Sequence, residues 1–440
     1  MNPEPRLTRQ PRGRVIAVMV AWNGRSFLEA AISSVLEALG EHGELLVVEN
    51  GSTDSSFDFL RAHFPDVAVL QTGENLGGAG GFSAGMRVAL EDLECHYVWL
   101  LDNDIIVEPG ALEPLLDILA SAPDIAATGS QLCLYDRPDT VQELGSRYTP
   151  WLGALEQQHA GQPRLPADAS PREVDYLAAC SLLIRSDILR QHGLFREALF
   201  VFYDDVEWSL RVRRAGYRLL AVPASVVRHC YGGDKPTVPW REYYRKRNRC
   251  ICLRLEPPRR GRLLALYFYL VYVNALVRYL AWQGDLVLAG TYRLALDDFD
   301  NGRLGRREIV HPAAAPPPLP ENACGIWVDT SLSPGDAEAA WKALEHVAVH
   351  RKQHLLRLGP NQAGGAEIAL VGERYSWTAT HSKRLLRYRC GGRWSQITHP
   401  RREWLLSRLR LTMALMQAVP AALPRWLRAL RRDPPPIPLP

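Results

Sequence analysis

Tyr97-Val98-Trp99-Leu100-Leu101-Asp102-Asn103-Asp104-Ile105 decides how this chain is read. Five residues with the bulk of a buried strand run directly into two carboxylates one residue apart. Such a strand sets negative charge at its carboxyl end, the edge where open α/β sheets bind ligands. On an extended segment Asp102 and Asp104 point the same way and can share a hard divalent cation beside a phosphate. A turn with Asp102 as a helix cap and Asp104 in solvent has the same signature. The flanking sequence has to separate the two readings.

Upstream, VIAVMV at 15–20 reads as a buried first strand, broken at Trp22-Asn23-Gly24, with helical apolar spacing over 26–39. A second strand at 44–48 ends in Glu49-Asn50-Gly51-Ser52-Thr53-Asp54, a turn with Ser and Asp as caps for the next helix. A third strand at 67–70 leads into Asn75-Leu76-Gly77-Gly78-Ala79-Gly80-Gly81-Phe82, and a helix over 82–93 comes next. This alternation with short links predicts an α/β fold, a parallel sheet wrapped by helices. The glycines do not make a dinucleotide fingerprint, because Ser83 stands where the third glycine is required. Glycines before a helix still let backbone approach a ligand, and the helix end favours an anion. A plain flexible turn accounts for them equally well.

Downstream, a helix is expected over 109–119 and a strand over 125–134. Residues 136–172, rich in Pro, Gly and Asp, read as a long loop over the sheet face. The core resumes over 174–185, where Ala178-Ala179-Cys180-Ser181 are small enough to pack close to a substrate. Asp204, Asp205 and Glu207 open a helix that stops at Gly216. Acids suit a first helical turn, but three in four positions exceed what a cap requires. A short strand, Val226-Val227-Arg228, ends in His229; a lone histidine is most often an ordinary surface or core residue.

With 440 residues the chain has room for two or three domains and a large core. A net charge of +4 gives no general reason to expect a nucleic-acid partner. Eight scattered cysteines, with none at zinc-ligand spacing, read as reduced thiols. The apolar run at 15–22 is too short for a signal-peptide core with a cleavage site, so the expected location is cytoplasmic.

Taken together the pieces resemble the inverting glycosyltransferases of family 2, which have a nucleotide-binding GT-A fold. The resemblance is carried by VMVAWNGRSFL (18–28), VVENGSTDSS (47–56), NLGGAGGF (75–82), LLDNDIIVEPGAL (100–112), FYDDVEWSLRVRRAGYRLLAVP (202–223) and VVRH (226–229). It covers about half the chain and looks most like the galactofuranosyltransferase branch, with rhamnosyltransferases as close relatives. The resemblance implies that Glu49, standing where the family has an aspartate, contacts the nucleoside. Asn75, Gly77, Gly78, Gly80 and Gly81 match the segment lining the nucleotide-sugar site. Asp102 and Asp104 match the metal-binding pair, with Asn103 in place of a frequent third aspartate, and His229 matches a histidine that completes the metal site. Asp205 matches the catalytic base, while Asp204, Glu207 and neighbouring Trp208 are expected at the sugars. The implied cofactor is Mg²⁺ or Mn²⁺, the implied donor UDP-galactofuranose or, alternatively, dTDP-rhamnose. The implied acceptor is a cell-envelope glycan or lipid-linked sugar. A binding module that keeps the fold without turnover is the competing reading, which the intact acids and His229 oppose.

The expected layout is a basic disordered tail over 1–14, a catalytic domain over 15–235, a helical extension over 236–310, an Ala/Pro linker over 311–320 and a smaller α+β region over 321–440. In the extension, residues 240–249 interleave Arg with Trp and Tyr and are expected to face a lipid-linked diphosphate or an anionic membrane. Residues 263–282 are nearly long enough to span a bilayer, but Asn274 and Arg278 favour a packed or interfacial helix. A basic amphipathic helix over 401–432 could lie on anionic lipid, giving peripheral contact with the inner face of the cell membrane.

Overall fold

A strand with helices on both sides must be apolar on both faces, and β1 (Arg14–Ala21) meets that condition. Val15, Ala17 and Met19 belong to one buried cluster, Ile16, Val18 and Val20 to a second. The computed structural model describes residues 13–151, 153–230, 238–255, 262–282 and 285–309, and beyond them 325–328, 341, 356–358, 368–371, 384–389, 393–397 and 400–431. The chain divides into two compact units, the first running through Tyr231 and the second mainly Gly232–Arg303 with Arg307–Pro434.

In the first unit β1 is succeeded by α1 (Arg25–Leu39), β2 (Gly43–Glu49), α2 (Ser56–His63), β3 (Ala68–Gln71), α3 (Gly77–Glu91) and β4 (Cys95–Asp102). After these come β5 (Ile105–Val107), α4 (Leu112–Ser121), β6 (Ile125–Leu134), β7 (Arg137–Glu143), β8 (Ser146–Thr149), β9 (Ala154–Gln157) and β10 (Arg172–Val174). The unit closes with β11 (Ser181–Arg185), α5 (Ser186–His192), α6 (Asp204–Arg214) and β12 (Arg218–His229). The main sheet has the order β10-β12-β6-β11-β4-β1-β2-β3. β3, β2, β1 and β4 run parallel, whereas β11 is antiparallel to both β4 and β6. The fold is α/β of the expected GT-A kind, with helices flanking a mixed sheet whose β1–β4 half is parallel. After β1 the chain moves outward through β2 and β3, then returns to the other side of β1 as β4. That reversal opens a crevice between the carboxyl ends of β1 and β4, where Val20 is level with Asp102.

Two expectations are corrected. Residues 136–172 are not one long loop: they contain β7, which pairs with β6, the β8–β9 hairpin and the start of β10. The glycines are not a loop ahead of a helix either, since they form the first turns of α3. Intrinsic propensity opposes glycine there, and packing overrides it. A Cβ at Gly81 would lie 2.8 Å from Val20 Cγ1, and one at Gly85 would lie 2.2 Å from Val18 Cγ1 and 2.8 Å from Val48 Cγ2.

In the second unit α7 (Pro239–Leu255), α8 (Arg262–Trp282), α9 (Leu286–Asn301) and α10 (Pro400–Arg431) accompany a sheet of β13 (Gly325–Val328), β14 (Leu356–Leu358), β15 (Ile368–Val371), β16 (Arg384–Arg389) and β17 (Arg393–Ile397). Its order is β14-β13-β15-β16-β17, with only the last pair antiparallel. Among the described residues α8 is the one helix long and apolar enough to cross a membrane, but over half of it is buried within the protein. Leu266, Leu270, Val273 and Val277 pack with Leu288, Tyr292 and Leu296 of α9 and Ala422 of α10. The basic stretch of α7 is likewise turned inward in part. Arg247 is buried, stacked on Tyr243 and Tyr244 and donating to the Tyr243 hydroxyl and the Asn248 side chain. Arg245 remains exposed. The expected linker over 311–320 and the basic tail before Gly13 lie outside the described residues.

Gly85→Ala should lower the thermal midpoint, because the added methyl overpacks the β1–β2 face at roughly 1–3 kcal/mol. Gly290→Ala, in α9 with open space around its Cβ, should leave the midpoint unchanged or raise it by helix propensity. Equal effects of the two would contradict the close approach of α3 to the sheet.

Candidate active site

The acid pair sits where β4 ends, and the chain then doubles back. β5 pairs antiparallel with the end of β12, placing His229 opposite Ile105, and the Cys230 N–H donates to the Asp104 carbonyl. This turn brings the His229 Nε2 to 3.4 Å from Asp104 Oδ1 and 3.9 Å from Asp102 Oδ2. One donor atom from each of the three lies within 4.8 Å of the others. His229 Nδ1 is 3.0 Å from Gln142 Oε1. With Gln142 on Nδ1, the other ring nitrogen, Nε2, is the one turned to the carboxylates, the side from which a metal would be bound. Two carboxylate oxygens and one imidazole nitrogen form a donor set that could hold a divalent cation such as Mg²⁺ or Mn²⁺.

Holding the pair this close has an electrostatic price. Burial among protein atoms pushes the Asp102 carboxyl up to about 7, and the charges of Asp104 and Asp205 add to the rise while His229 opposes it. Its side chain keeps 38% of its surface open, so the crowded carboxyl still faces the crevice. A bound cation reverses this logic and favours the ionised form. Beneath the site a chain of buried hydroxyls ties the strands together. Trp99 Nε1 donates to Ser181 Oγ at 3.2 Å, and Ser130 Oγ lies 2.7 Å from both Ser181 Oγ and Ser225 Oγ. These four residues come from β4, β11, β6 and β12, so they fix the level of Asp102 against that of His229.

The second acid group is presented by a contorted segment. Phe200, Phe202 and Tyr203 all have positive φ, of 68°, 62° and 68°, a conformation that costs non-glycine residues energy and recurs at functional sites. The Phe200 carbonyl accepts from the Ala79 N–H at 3.0 Å. A Cβ at Gly77 would lie 2.0 Å from that carbonyl oxygen. Gly77 therefore seats the acid-bearing loop rather than a ligand, and Gly80 and Gly81 are also buried. Of the four glycines only Gly78 keeps an open side, its Cβ position 3.7 Å from Asp204 Oδ2. The anion-greeting amides are also used: Leu76 N–H donates to Asn50 Oδ1, Gly77 N–H to Asn75 Oδ1 and Ala79 N–H to Phe200.

Asp205 Oδ2 accepts from the Tyr176 hydroxyl at 2.9 Å and the Ala179 N–H at 3.3 Å, while Oδ1 accepts from the Val206 N–H. Burial raises its proton affinity, and the three donors restrain the rise. Asp204, also buried, is raised well above the carboxylate range by burial and then by the charge of Asp205. Glu207 and Trp208 are corrections. Glu207 is buried between Arg196 at 2.9 Å and Arg211 at 3.0 Å, and Arg211 is fixed to the His192 and Leu194 carbonyls. Trp208 is fully buried and donates to the Gly193 carbonyl. Both hold α6 in place and have no surface left for a sugar. Glu49 is buried with Oε1 accepting from the Ser52 N–H at 2.6 Å, so it shapes the turn after β2. Asn103 rests against Gly24, where a Cβ would meet its Nδ2 at 1.7 Å.

Three residues at the site had no sequence signal. Asn50 is buried, accepts from the Leu76 N–H and donates to the Gly77 carbonyl, pinning the glycine helix to β2. Gln142 meets His229 Nδ1, and the Tyr176 hydroxyl orients Asp205. Glu143, buried beside them, is raised by burial and held by Ser146 and Gln157.

Residues 16–190 match the family model described as Glycosyl transferase family 2, a span that ends before Asp205 and His229. The chain is 25% identical over 211 residues to galactofuranosyltransferase GlfT2 of Mycolicibacterium smegmatis, covering 44% of this chain and 32% of that protein. It is 26% identical over 237 residues to N-acetylglucosaminyl-diphospho-decaprenol L-rhamnosyltransferase of Mycobacterium tuberculosis, covering 48% and 74%. It is 28% identical over 222 residues to galactofuranosyltransferase GlfT1 of Mycobacterium tuberculosis, covering 47% and 70%. The aligned part spans about a third of the GlfT2 relatives it matches. The crystal structure of GalNAc-T7 with UDP, GalNAc and Mn²⁺ is similar at a TM-score of 0.46 and 17% identity, covering 59% of this chain and 50% of that one. That likeness is too slight to bear on the site.

Gln142→Leu should weaken Mn²⁺ binding by about tenfold or more, as loss of a partner that orients a ligand does. Paramagnetic resonance of free Mn²⁺ at fixed UDP reads this directly, and unchanged affinity would remove His229 from the metal site.

Proposed function

We propose that this chain, whose residues 16–190 match glycosyl transferase family 2, moves a sugar from a nucleotide donor to a hydroxyl of a glycan or lipid-linked acceptor in one inverting displacement. The observation that carries the reading is the meeting of Asp102, Asp104 and His229 within 4.8 Å, with Asp205 at the start of α6 near enough for its charge to act on Asp102. When bound there, Mg²⁺ or Mn²⁺ supplies positive charge that neutralises the departing nucleoside diphosphate. Asp205 takes the proton from the acceptor hydroxyl as it attacks opposite the leaving group. Tyr176 and the Ala179 N–H hold Oδ2 in a fixed direction, and burial makes the carboxylate a stronger base. Asp204, beside Gly78, is the proposed contact to a sugar hydroxyl.

UDP-galactofuranose is the favoured donor, supported by the sequence likeness to two galactofuranosyltransferases and by the NLGGAGGF and LDND segments. dTDP-rhamnose is the second reading, supported by the rhamnosyltransferase relative. The acceptor is read as lipid-linked, with the protein peripheral on a membrane. Support comes from α10, which leaves Met416, Val419 and Leu423 exposed along a helix rich in arginine.

A nucleotide-sugar panel with a polyprenyl-linked acceptor tests the donor: turnover with UDP-galactofuranose alone is expected, and turnover with dTDP-rhamnose alone would move the assignment. Asp205→Asn should still bind UDP-sugar and lose turnover by about 10²- to 10⁴-fold. Normal turnover in that variant would remove Asp205 as the base, and donor binding without turnover in the native protein would favour the binding-module reading.

A further inference from the structure

The second unit contains a cavity of about 330 Å³ between α8, α9 and α10, lined by Asn274, Arg278, Arg293, Leu296 and Arg425 among others. Its volume lies at the lower end of the range for small-molecule sites. Three guanidiniums reach it from three different helices. Arg278 is the single charged residue of Leu264–Trp282, a stretch of mean hydropathy 1.5, and Asn274 lies one turn away on the same face. A lone arginine in so apolar a helix is costly unless something answers its charge.

The answering charge on the protein is incomplete. Arg425 pairs with Asp297 at 2.7 Å and with Asp300, and Arg428 also pairs with Asp300 at 2.7 Å. Among the described residues neither Arg278 nor Arg293 has a carboxylate at ion-pair distance; Arg278 donates only to the Asn274 carbonyl, at 3.1 Å. Among the described residues, Arg278 and Arg293 thus add two positive charges that neither Asp297 nor Asp300 meets at ion-pair distance. The groups feel one another: burial lowers the Arg278 proton affinity, and the charges of Arg293 and Arg425 lower it further. Two positive charges on planar, forked donors match a phosphate in charge and geometry.

We propose that this cavity is a phosphate-binding site, in which Arg278 and Arg293 donate to the oxygens of a phosphate monoester or diphosphate and Arg425, anchored by Asp297 and Asp300, closes the third side. The site lies wholly within the second unit and does not depend on the transferase reading.

The test uses the full chain in EDTA, so that diphosphate does not bind through a divalent ion at the acid pair. One arm titrates inorganic pyrophosphate by calorimetry, and the other measures co-sedimentation with phosphatidylcholine vesicles with and without phosphatidic acid. Arg293→Gln alters an exposed side chain of α9 and leaves the core intact; Arg278→Gln is the second variant. Binding in either arm that falls about tenfold in Arg293→Gln supports the site. The pyrophosphate arm then identifies a soluble phosphate, and the vesicle arm alone a lipid headgroup. No binding in either arm, or binding equal in native protein and both variants, overturns it.

Discussion

Two carboxylates on one short turn repel each other, and the first unit is built to hold them there regardless. Asp102 ends a strand that is buried over Val98–Leu101, and Asp104 follows in the turn beyond it, where charge is less screened than in open water. The protonation of Asp102 is pushed up to about 7 as a result. A cation held between the acids and His229 would make that arrangement favourable. The surrounding features keep the acids from relaxing apart. β5 folds back onto β12, Trp99 and the hydroxyls of Ser181, Ser130 and Ser225 tie four strands together, and Gln142 holds the Nδ1 side of His229.

A second constraint couples the acid pair to the base. The segment that presents Asp204 and Asp205 has three non-glycine residues in the left-handed region, each at roughly 1 kcal/mol or more. It is held by contact with the first turn of α3, where only a glycine at position 77 leaves room for the Phe200 carbonyl. The other face of α3 needs glycine as well, to reach Val18 and Val20 on β1. One glycine-rich helix is thus clamped between the central strands and the loop carrying the proposed base. Asn50 adds hydrogen bonds that fix its start.

Much of this architecture is legible in the sequence, for a physical reason. Strands buried on both faces leave continuous apolar runs, so β1, β2 and β4 are plain, and the abrupt switch from Leu101 to Asp102 marks the functional edge. Strand direction leaves no such trace: nothing in the five residues of β11 says that it runs against β4. The short strands of β7 to β10 hide among Pro, Gly and Asp because half their side chains face solvent. The glycines mislead because their demand is tertiary, set by Val18, Val20 and Phe200, which lie far away in sequence. Glu207 looks like one more site acid, although Arg211 one turn later offers a partner at i+4. Gln142, Asn50 and Tyr176 carry no local signal, since each matters only through what the fold brings beside it.

The central claim is that one cation joins Asp102, Asp104 and His229 to a nucleoside diphosphate, with Asp205 facing the sugar. A crystal structure of the chain with Mn²⁺ and UDP, with the ion located by anomalous scattering, tests it most directly. A single peak is expected, bonded to carboxylate oxygens of the pair and to His229 Nε2, with diphosphate oxygens completing its shell. Nucleotide bound with the ion elsewhere, or with His229 turned away from it, would contradict the claim.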